Sequence, residues 1–403
     1  MSFSQGLSGL NAASQALDVV GNNIANSQTV GFKSGSIAFA DVFAGSQVGM
    51  GVQVAGVNQN FSDGVLGMGN SELDMGIQGD GFFRLVNETG SVFYSRNGQF
   101  KKDENGYIIN NQGMYLTGYQ ATGTPPTIQQ GAAVGPIQIP SDQMPAKASD
   151  AGTMNGNLDS GSKAIDQDEF PFDPKVGDSY TYINQVDAYD SLGNKHTINV
   201  YYVKTDDNEW KAYSMDSTSP GTPEWQETSL SFDSTGQLKT TPATLNVQGS
   251  SHNGATALNF DLDLAGMTQQ ATESQMDSLS TTGYAPGKMN GYTIGDNGEV
   301  IASYSNGQRQ TVGQILLSNF TNPGGLSSEG NNCWSETPAS GQPTTGISGS
   351  GNLGKLYGNR LEASNVDLSQ EMVNMIVFQR NYQSNSQTIR TQSELLQTLV
   401  NLS

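Results

Sequence analysis

The chain has 403 residues, of which 35% are hydrophobic and 49 are glycine, and its formal net charge is -20. This length is enough for two or three domains. The acidic balance argues against nucleic acid and against an anionic membrane surface as partners, because both are bound by clustered Lys and Arg. With a single cysteine, Cys333, the chain cannot form an internal disulfide.

The sequence carries no recognisable membrane or secretion signal. No run of about 18 apolar residues predicts a transmembrane helix. The N-terminus, which begins Met1-Ser2-Phe3, lacks the basic segment and the apolar core of a cleavable secretory signal. We therefore predict no membrane insertion and no cleaved signal peptide.

The first 30 residues have the spacing of an amphipathic helix. One apolar row repeats every seventh residue: Phe3, Leu10, Leu17 and Ile24. A companion row runs beside it: Leu7, Ser14 and Gly21. A repeat of 3.5 residues is what one helix needs to pack along another. Ser2 and Gln5 form a capping-box pattern at the start.

The region after this helix is predicted to be rich in β-structure. Apolar residues alternate with Gly and Gln around 48–54, which indicates a strand with one buried face. Two Asn-Gly turn signals, at 97–98 and 105–106, predict an antiparallel β-meander over 72–119. Prolines between 125 and 145 indicate a linker.

A second β-rich region spans about 146–284. Ile198 and Val200 alternate with polar residues after a Gly-Asn turn at 193–194, the period of a strand with one buried face. We expect a separate β-domain here, either a small barrel or a sandwich. Strand and turn signals resume over 284–359, which we interpret as the return path that completes the first β-domain.

The last segment, 366–403, repeats the heptad spacing of the first. One apolar row comprises Leu368, Met375, Tyr382, Ile389 and Leu396. The companion row comprises Met372, Gln379, Ser386, Ser393 and Val400. Asp367 can cap the helix, with Gln370 three residues later as a capping box. At 1.5 Å per residue such a helix is a rod of about 50 Å.

The predicted fold class is mainly β with paired terminal α-helices, in which nested β-domains are inserted between N- and C-terminal coiled-coil-like helices. The predicted boundaries are 1–30 plus 366–403 for the helical domain, 31–71 plus 359–365 for an extended connector, 72–145 plus 285–358 for the first β-domain, and 146–284 for the inserted outer β-domain. This nesting brings the two termini together, as matching heptads require.

The charge distribution indicates what the terminal helices face. Residues 1–30 carry one charged side chain, Asp18, and lysine is absent from both 1–30 and 366–403. Exposed helices of a monomer normally have a charged, solvated face, whereas these carry Ser, Asn, Gln and Ala. We therefore predict burial against further copies of the chain. The alternatives are termini that stay soft in a monomer, or an ordinary intramolecular bundle.

No arrangement of residues predicts catalysis, a cofactor or a metal ion. His196 lies beside a hairpin turn and is expected to face solvent, and neither it nor His252 has a second metal ligand at usable spacing. Cys333 lacks a basic neighbour that would lower its pKa. The GxGxxG match at 349–354 follows a loop instead of a strand, and the acidic group at 166–169 lacks the pattern of a calcium loop.

Two long stretches resemble the bacterial flagellar axial proteins, the family of rod, hook and hook-associated subunits. The stretch LDVVGNNIANSQTVGFK at 17–33 is similar to the N-terminal signature of that family, and EASNVDLSQEMVNMIVFQRNYQSNSQTI at 362–389 is similar to the C-terminal one. The N-terminal signature residues here are Asn22, Asn23, Ala25, Asn26, Gly31, Phe32 and Lys33. In that family the two ends pair as helices that line the core of a tubular assembly.

The resemblance implies a mechanical function without enzymatic activity. Length and nested layout are most similar to the hook subunits, which form a short curved tube, a flexible universal joint between motor and filament. Another axial component, such as a distal rod or hook-associated subunit, is the alternative; an extracellular binding protein is a further one. The expected assembly contacts are Phe3, Leu7, Leu10, Leu17, Ile24, Leu368, Met372, Met375, Tyr382, Ile389, Leu396 and Val400.

The resemblance also implies the partners and the location. The partners would be further copies of the chain, the rod, the hook cap and the hook–filament junction proteins, and the flagellar type III export apparatus. The location would be extracellular, in the hook of the flagellum, reached without a cleaved signal peptide. No cofactor is implied.

Overall fold

A computed structural model describes residues 3–42, 49–123, 125–140, 143–218, 225–251 and 253–401, with side chains as far as 398. The chain forms two compact units. The first comprises residues 1–141, 291–303 and 309–403, and the second comprises 142–290 and 304–308.

The chain begins with helix α1, Phe3–Ala25, and a hairpin that follows it. The side chains that α1 buries are small or short: Gly6, Ala12, Ala13, Ala16, Val20 and Asn23. The hairpin consists of β1, Gly35–Asp41, and β2, Val52–Gln59, paired antiparallel with one irregularity in register. The predicted strand around 48–54 is thus observed in its second half, and 43–48 lies outside the described residues.

The first unit continues with eight short strands. They are β3 Leu66–Met68, β4 Met75–Gln78, β5 Phe82–Val86, β6 Val92–Ser95, β7 Phe100–Lys102, β8 Ile108–Asn110, β9 Tyr115–Gln120 and β10 Gly135–Pro136. Strands β5 and β6, β7 and β8, and β8 and β9 pair antiparallel, as in a meander. The signal at 97–98 does not form the predicted hairpin, because the described strands on either side of it, β6 and β7, are not paired with each other. The signal at 105–106 is a turn in which Gly106 has a φ of +89°, a conformation that glycine adopts without strain.

The described residues of the second unit form nine strands in two sheets. They are β11 Ala151–Asp159, β12 Tyr182–Tyr189, β13 Lys195–Asp206, β14 Glu209–Asp216, β15 Trp225–Ser231, β16 Thr244–Gln248, β17 Asn259–Asp263, β18 Met267–Gln270 and β19 Gln275–Thr281. Strands β12 to β15 form one antiparallel sheet, and the other five form a mixed sheet around β11. One hydrophobic core, which includes Val200, Trp210 and Leu245, draws on both sheets.

The chain then returns to the first unit. The returning strands are β20 Met289–Ile294, β21 Glu299–Tyr304, β22 Arg309–Asn319, β23 Ser327–Gly330, β24 Cys333–Ser335, β25 Thr344–Ile347, β26 Lys355–Gly358 and β27 Arg360–Glu362. The long strand β22 pairs with β9, β5 and β25, and β24 pairs with β6. Farther along, β26 pairs with β4 and β27 with β3. Early and late parts of the sequence therefore share one set of sheets.

Helix α2, Leu368–Asn401, completes the chain. Asp367 caps it, because one carboxylate oxygen of Asp367 accepts hydrogen bonds from the amides of Ser369 and Gln370, at 2.9 and 3.1 Å. The capping box is not closed, since the Gln370 side chain donates to Asn374 instead. The predicted fold class, mainly β with a helix at each end, is confirmed.

The proline-rich stretch between 125 and 145 is not the linker that its composition indicates. Ile137 and Ile139 are fully buried, and the Ile137 amide donates to the Leu116 carbonyl oxygen. Two isoleucines that alternate with polar or proline positions fill the core between the prolines, and this period-2 signal outweighs the turn composition.

Candidate assembly surface

The two terminal helices pack closely because α1 presents glycine at the contact. A Cβ atom on Gly6 would lie 3.1 Å from Cγ1 of Ile389, and one on Gly9 would lie 2.8 Å from the side-chain nitrogen Nδ2 of Asn385. The hairpin contributes a ring contact, since Phe39 lies edge-on to Phe378 with ring centroids 6.4 Å apart. Glycine costs about 1 kcal/mol in a helix, and here it leaves room for the Ile389 and Asn385 side chains, which a Cβ atom would crowd.

The predicted apolar row of α1, and Leu7 on the companion row beside it, are only partly covered within one chain. Phe3 and Leu7 are 48% and 43% exposed, and Leu10, Leu17 and Ile24 are partly buried. The buried face of α1 consists of the small side chains instead. The large apolar side chains of the heptad are thus incompletely covered within one chain.

The predicted apolar row of α2 is divided between two environments. Met375 and Ile389 are partly buried, whereas Leu368, Tyr382 and Leu396 are exposed. On the companion row Met372 is exposed, and the side chain of Val400 lies outside the described residues. Four further exposed apolar side chains widen this surface: Val373, Ile376, Val377 and Leu395.

A helix with so many exposed apolar side chains is unusual in a water-soluble monomer. Scattered exposed apolar residues need no explanation, but a contiguous apolar face marks an interaction surface. The acidic and basic side chains of α2 are few, so little charge opposes burial of this face. The described side chains of α1 and α2 therefore form a surface suited to a further helix, which we call the helix-pair surface.

Several N-terminal signature residues make contacts within the chain. Asn23 is buried, and its side-chain amide both donates to the Gly35 carbonyl oxygen and accepts from the Gly35 amide, at 2.8 and 2.9 Å. Asn26 closes the end of α1, since its side chain donates to the Asn22 carbonyl oxygen at 2.9 Å. These asparagines fix the chain direction after α1. Ala25 ends the helix, and Phe32 is partly buried nearby.

Gly31 and Lys33 belong to a buried junction between the two ends of the chain. Gly31 has a φ of +68°, and its amide donates to the backbone oxygen of Glu362 at 2.8 Å. The Lys33 ammonium donates to Oε1 of Glu362 at 2.7 Å, and Arg96 Nη1 lies 3.1 Å from Oε2. Burial and the neighbouring Arg96 cation lower the pKa of Lys33, and the Glu362 carboxylate opposes that shift.

Sequence patterns do not predict this junction. Glu362 lies 329 residues from Lys33 and 266 residues from Arg96, so no local periodicity links them. The only signal is that a lysine and a glutamate stand within the two stretches that resemble the family signatures.

The sequence also singles out two histidines, His196 and His252. The sequence predicts that His196 faces solvent, but the structure buries it. Its Nδ1 lies 2.7 Å from Asp216 and its Nε2 lies 3.5 Å from Asp190. Its place in β13, two residues before the buried Ile198, puts it on the inward face, so the period of 2 could have identified its burial. His252 lies outside the described residues.

Cys333 is buried, and burial raises the pKa of its thiol. The GxGxxG match lies in a turn, as expected, but it follows strand β25 and not the loop that the sequence predicts, and it leads into strand β26 and not into a helix. Across the described ranges, no cluster of three or more His, Cys, Asp or Glu side chains could hold a metal ion. Within the same ranges, no helix is both long enough and apolar enough to cross a membrane.

Comparison with known families covers most of the sequence. The profile "Flagella basal body rod protein" matches residues 5–33, and "Flagellar hook protein FlgE/F/G D1 domain" matches 76–156. "Flagellar basal body protein FlaE D2 domain" matches 157–284, and "Flagellar basal body rod FlgEFG protein C-terminal" matches 358–402.

Individual relatives match over their full length. The flagellar hook protein FlgE of Salmonella typhimurium is 53% identical, with 100% of each chain covered. Its counterpart in Escherichia coli is 51% identical, also with 100% of each chain covered. The crystal structure of the Helicobacter pylori flagellar hook protein FlgE2 superposes with a TM-score of 0.55 at 18% identity, covering 74% of this chain and 100% of that chain. That similarity supports the fold.

Proposed function

The chain belongs to the family of bacterial flagellar hook proteins, and on that premise we propose how it acts as a subunit of the hook. Copies polymerise through the helix-pair surface into a short curved tube. The tube is a flexible universal joint that carries torque from the rotary motor to the filament. Head-to-tail contacts of one surface with another generate open helical assemblies of this kind.

The observation that carries this proposal is the uncovered apolar face of both terminal helices. Phe3, Leu7 and Leu396 are exposed in one chain, and burying a large apolar side chain contributes about 1.5–3 kcal/mol. A second copy that covers several such side chains would therefore gain a favourable free energy of association. The proposed contacts are the complete predicted set: Phe3, Leu7, Leu10, Leu17, Ile24, Leu368, Met372, Met375, Tyr382, Ile389, Leu396 and Val400.

A division of labour between the parts of the chain follows from the charge distribution. We propose an inner helical layer of 1–30 plus 366–403, a connector of 31–71 plus 359–365, a first β-domain of 72–145 plus 285–358, and an outer β-domain of 146–284. The inner layer holds the tube together. The acidic, glycine-rich outer domains slide past one another when the tube bends, since polar contacts between like-charged surfaces are weak.

The proposal includes partners, location and the absence of catalysis. The subunit is exported by the flagellar type III apparatus without a cleaved signal peptide and acts outside the cell in the hook. Its partners there are the rod, the hook cap and the hook–filament junction proteins. Its function is mechanical, so it needs neither a cofactor nor an enzymatic site.

A pair of leucine substitutions tests the assembly surface. Leu396 on α2 and Leu192 in a turn of the second unit are 57% and 56% exposed, so Asp at either position should leave the free subunit folded. Because placing a charge in an apolar interface costs several kcal/mol, Leu396→Asp should abolish tube formation in electron micrographs, whereas Leu192→Asp should not. Normal tubes from folded Leu396→Asp would contradict the proposal.

A further inference from the structure

Five separate segments of the first unit meet at the side chain of Glu362. Oε1 accepts hydrogen bonds from Lys33 Nζ at 2.7 Å and from the Gly64 amide at 2.8 Å. Oε2 pairs with Arg96 at 3.1 Å, and Arg96 in turn donates to the Gly79 carbonyl oxygen at 2.7 Å. One carboxylate thereby joins the connector after α1, the segments before β3 and after β4, the end of β6 and the end of β27.

The charges of this cluster are almost completely removed from water. The side chains of Lys33, Arg96 and Glu362 are 1%, 2% and 0% exposed. Two buried cations thus share one buried carboxylate, and the partly exposed Asp63 supplies a second at 3.4 Å from Arg96. Removal of one partner from a buried ion pair is strongly destabilising, because the other charge stays buried without compensation.

Backbone contacts reinforce the same junction on both sides. Beside the Gly31–Glu362 hydrogen bond, the Ser34 amide donates to Oδ1 of Asn365 at 2.8 Å. The Asn365 side chain also donates to the Asn60 carbonyl oxygen at 2.8 Å. The connector that follows α1 and the connector that precedes α2 are therefore hydrogen-bonded to each other and to the adjacent sheets.

We propose that Glu362, with Lys33 and Arg96, is a clamp that fixes the roots of both terminal helices to the first β-unit and transmits torque between them. This proposal rests on the hook function for its mechanical meaning. It assigns the signature residues Asn23, Gly31 and Lys33 to contacts within one chain. Because Asn23 and Lys33 are buried within a single chain, they are not available to bind a neighbouring subunit.

The alternative is that the cluster is an ordinary part of the core and stabilises the whole first unit. The two interpretations differ in where a broken cluster loosens the protein. A clamp predicts local opening of the two connectors, whereas a core element predicts faster opening of every strand. Native-state hydrogen exchange separates local from global opening, residue by residue.

The test compares Glu362→Gln with Glu104→Gln, an exposed glutamate in a turn of the same unit. In the free full-length chain, Glu362→Gln should accelerate exchange of the Gly31, Ser34 and Gly64 amides by about tenfold or more. Glu362→Gln should leave exchange in β5 and β6 unchanged. Glu104→Gln should change exchange neither in the connector amides nor in β5 and β6. Uniform acceleration across the first unit, or no acceleration at all, would overturn the proposal.

A second arm uses the assembled tube. Glu362→Gln leaves the helix-pair surface intact, so tubes should form, but their torsional stiffness, measured from the rotational fluctuations of an attached bead, should fall several-fold. Unaltered stiffness, or failure of a folded variant to form tubes, would contradict the clamp. Loss of tubes from the Leu396→Asp variant tests the assembly surface separately.

If Glu362→Gln does not fold, Asp63→Asn replaces it. Asp63 is partly exposed, pairs with Arg96 and accepts a hydrogen bond from the Gly79 amide. Asp63→Asn should accelerate exchange of the same amides and lower the torsional stiffness of the tube, and both effects should be smaller than in Glu362→Gln. A uniform pattern, or none, would count against the clamp in this variant also.

Discussion

Gly31→Ala isolates the backbone geometry on which the junction depends. Gly31 has a φ of +68°, a left-handed conformation that alanine adopts at a cost of about 1–2 kcal/mol. A Cβ atom there would also lie 2.5 Å from the carbonyl carbon of Arg96 and 2.6 Å from the Asn97 amide nitrogen. These are backbone atoms of a strand end and cannot rotate away, so the steric cost adds to the conformational one.

Gly90 provides the matched control. It has a φ of +86° in the turn between β5 and β6, and a Cβ atom would meet nothing within 4 Å. Gly90→Ala should therefore lower the free energy of unfolding only by the conformational cost of about 1–2 kcal/mol. Gly31→Ala should cost about 1–3 kcal/mol more, the usual penalty for overpacking.

Urea unfolding of both variants, followed by far-UV circular dichroism, measures the difference directly. The free energy of unfolding is extrapolated to water from the transition of the first unit, which is fitted apart from that of the second. If Gly31→Ala proves no more destabilising than Gly90→Ala, the close approach of the N-terminal connector to Arg96 is not a real constraint.

Two further predictions concern titratable groups. Burial opposes ionisation of Asp190, but hydrogen bonds from Asn194 and Leu192 hold the pKa of its carboxyl below the ordinary 3.8. Because the folded pKa is the lower one, this stabilisation is complete above about pH 4 and is lost as the pH falls below that value. The urea midpoint of the second unit should fall between pH 5 and pH 2.5, less steeply in Asp190→Asn; equal slopes would contradict this. Since burial raises the pKa of Cys333, its thiol should react with an aromatic disulfide at pH 8 at least about tenfold more slowly than in urea-unfolded chain; equal rates would refute its burial.

Much of the architecture could be predicted because it depends on local periodicity. Heptads with Leu10 and Leu17 in one helix, and Met375 and Ile389 in the other, identify both terminal helices. The Asn-Gly signal at 105–106 locates the hairpin of β7 and β8, since few other dipeptides adopt the required backbone conformation. The same dipeptide at 97–98 joins two strands that do not pair. Such signals involve only neighbouring residues and can therefore be identified in a single sequence without an alignment.

The rest depends on contacts between distant residues. Heptad spacing identifies an apolar row but not which part of it a single chain covers, and the small face of α1 takes the intramolecular contact instead. The partners of Lys33 are hundreds of residues away. Proximity to a turn predicts that His196 faces solvent, but in β13 it shares the inward side with Ile198, and a carboxylate on each side makes its burial tolerable.

We propose that the terminal helices serve assembly and that the β-domains fold without them. Deletion of residues 1–30 and 366–403, followed by sedimentation velocity and electron microscopy beside the full-length chain, tests this most directly. We expect a folded monomer that forms no tubes at any concentration, whereas the full-length chain polymerises. A truncated chain that unfolds, or one that still assembles into tubes, would contradict the account.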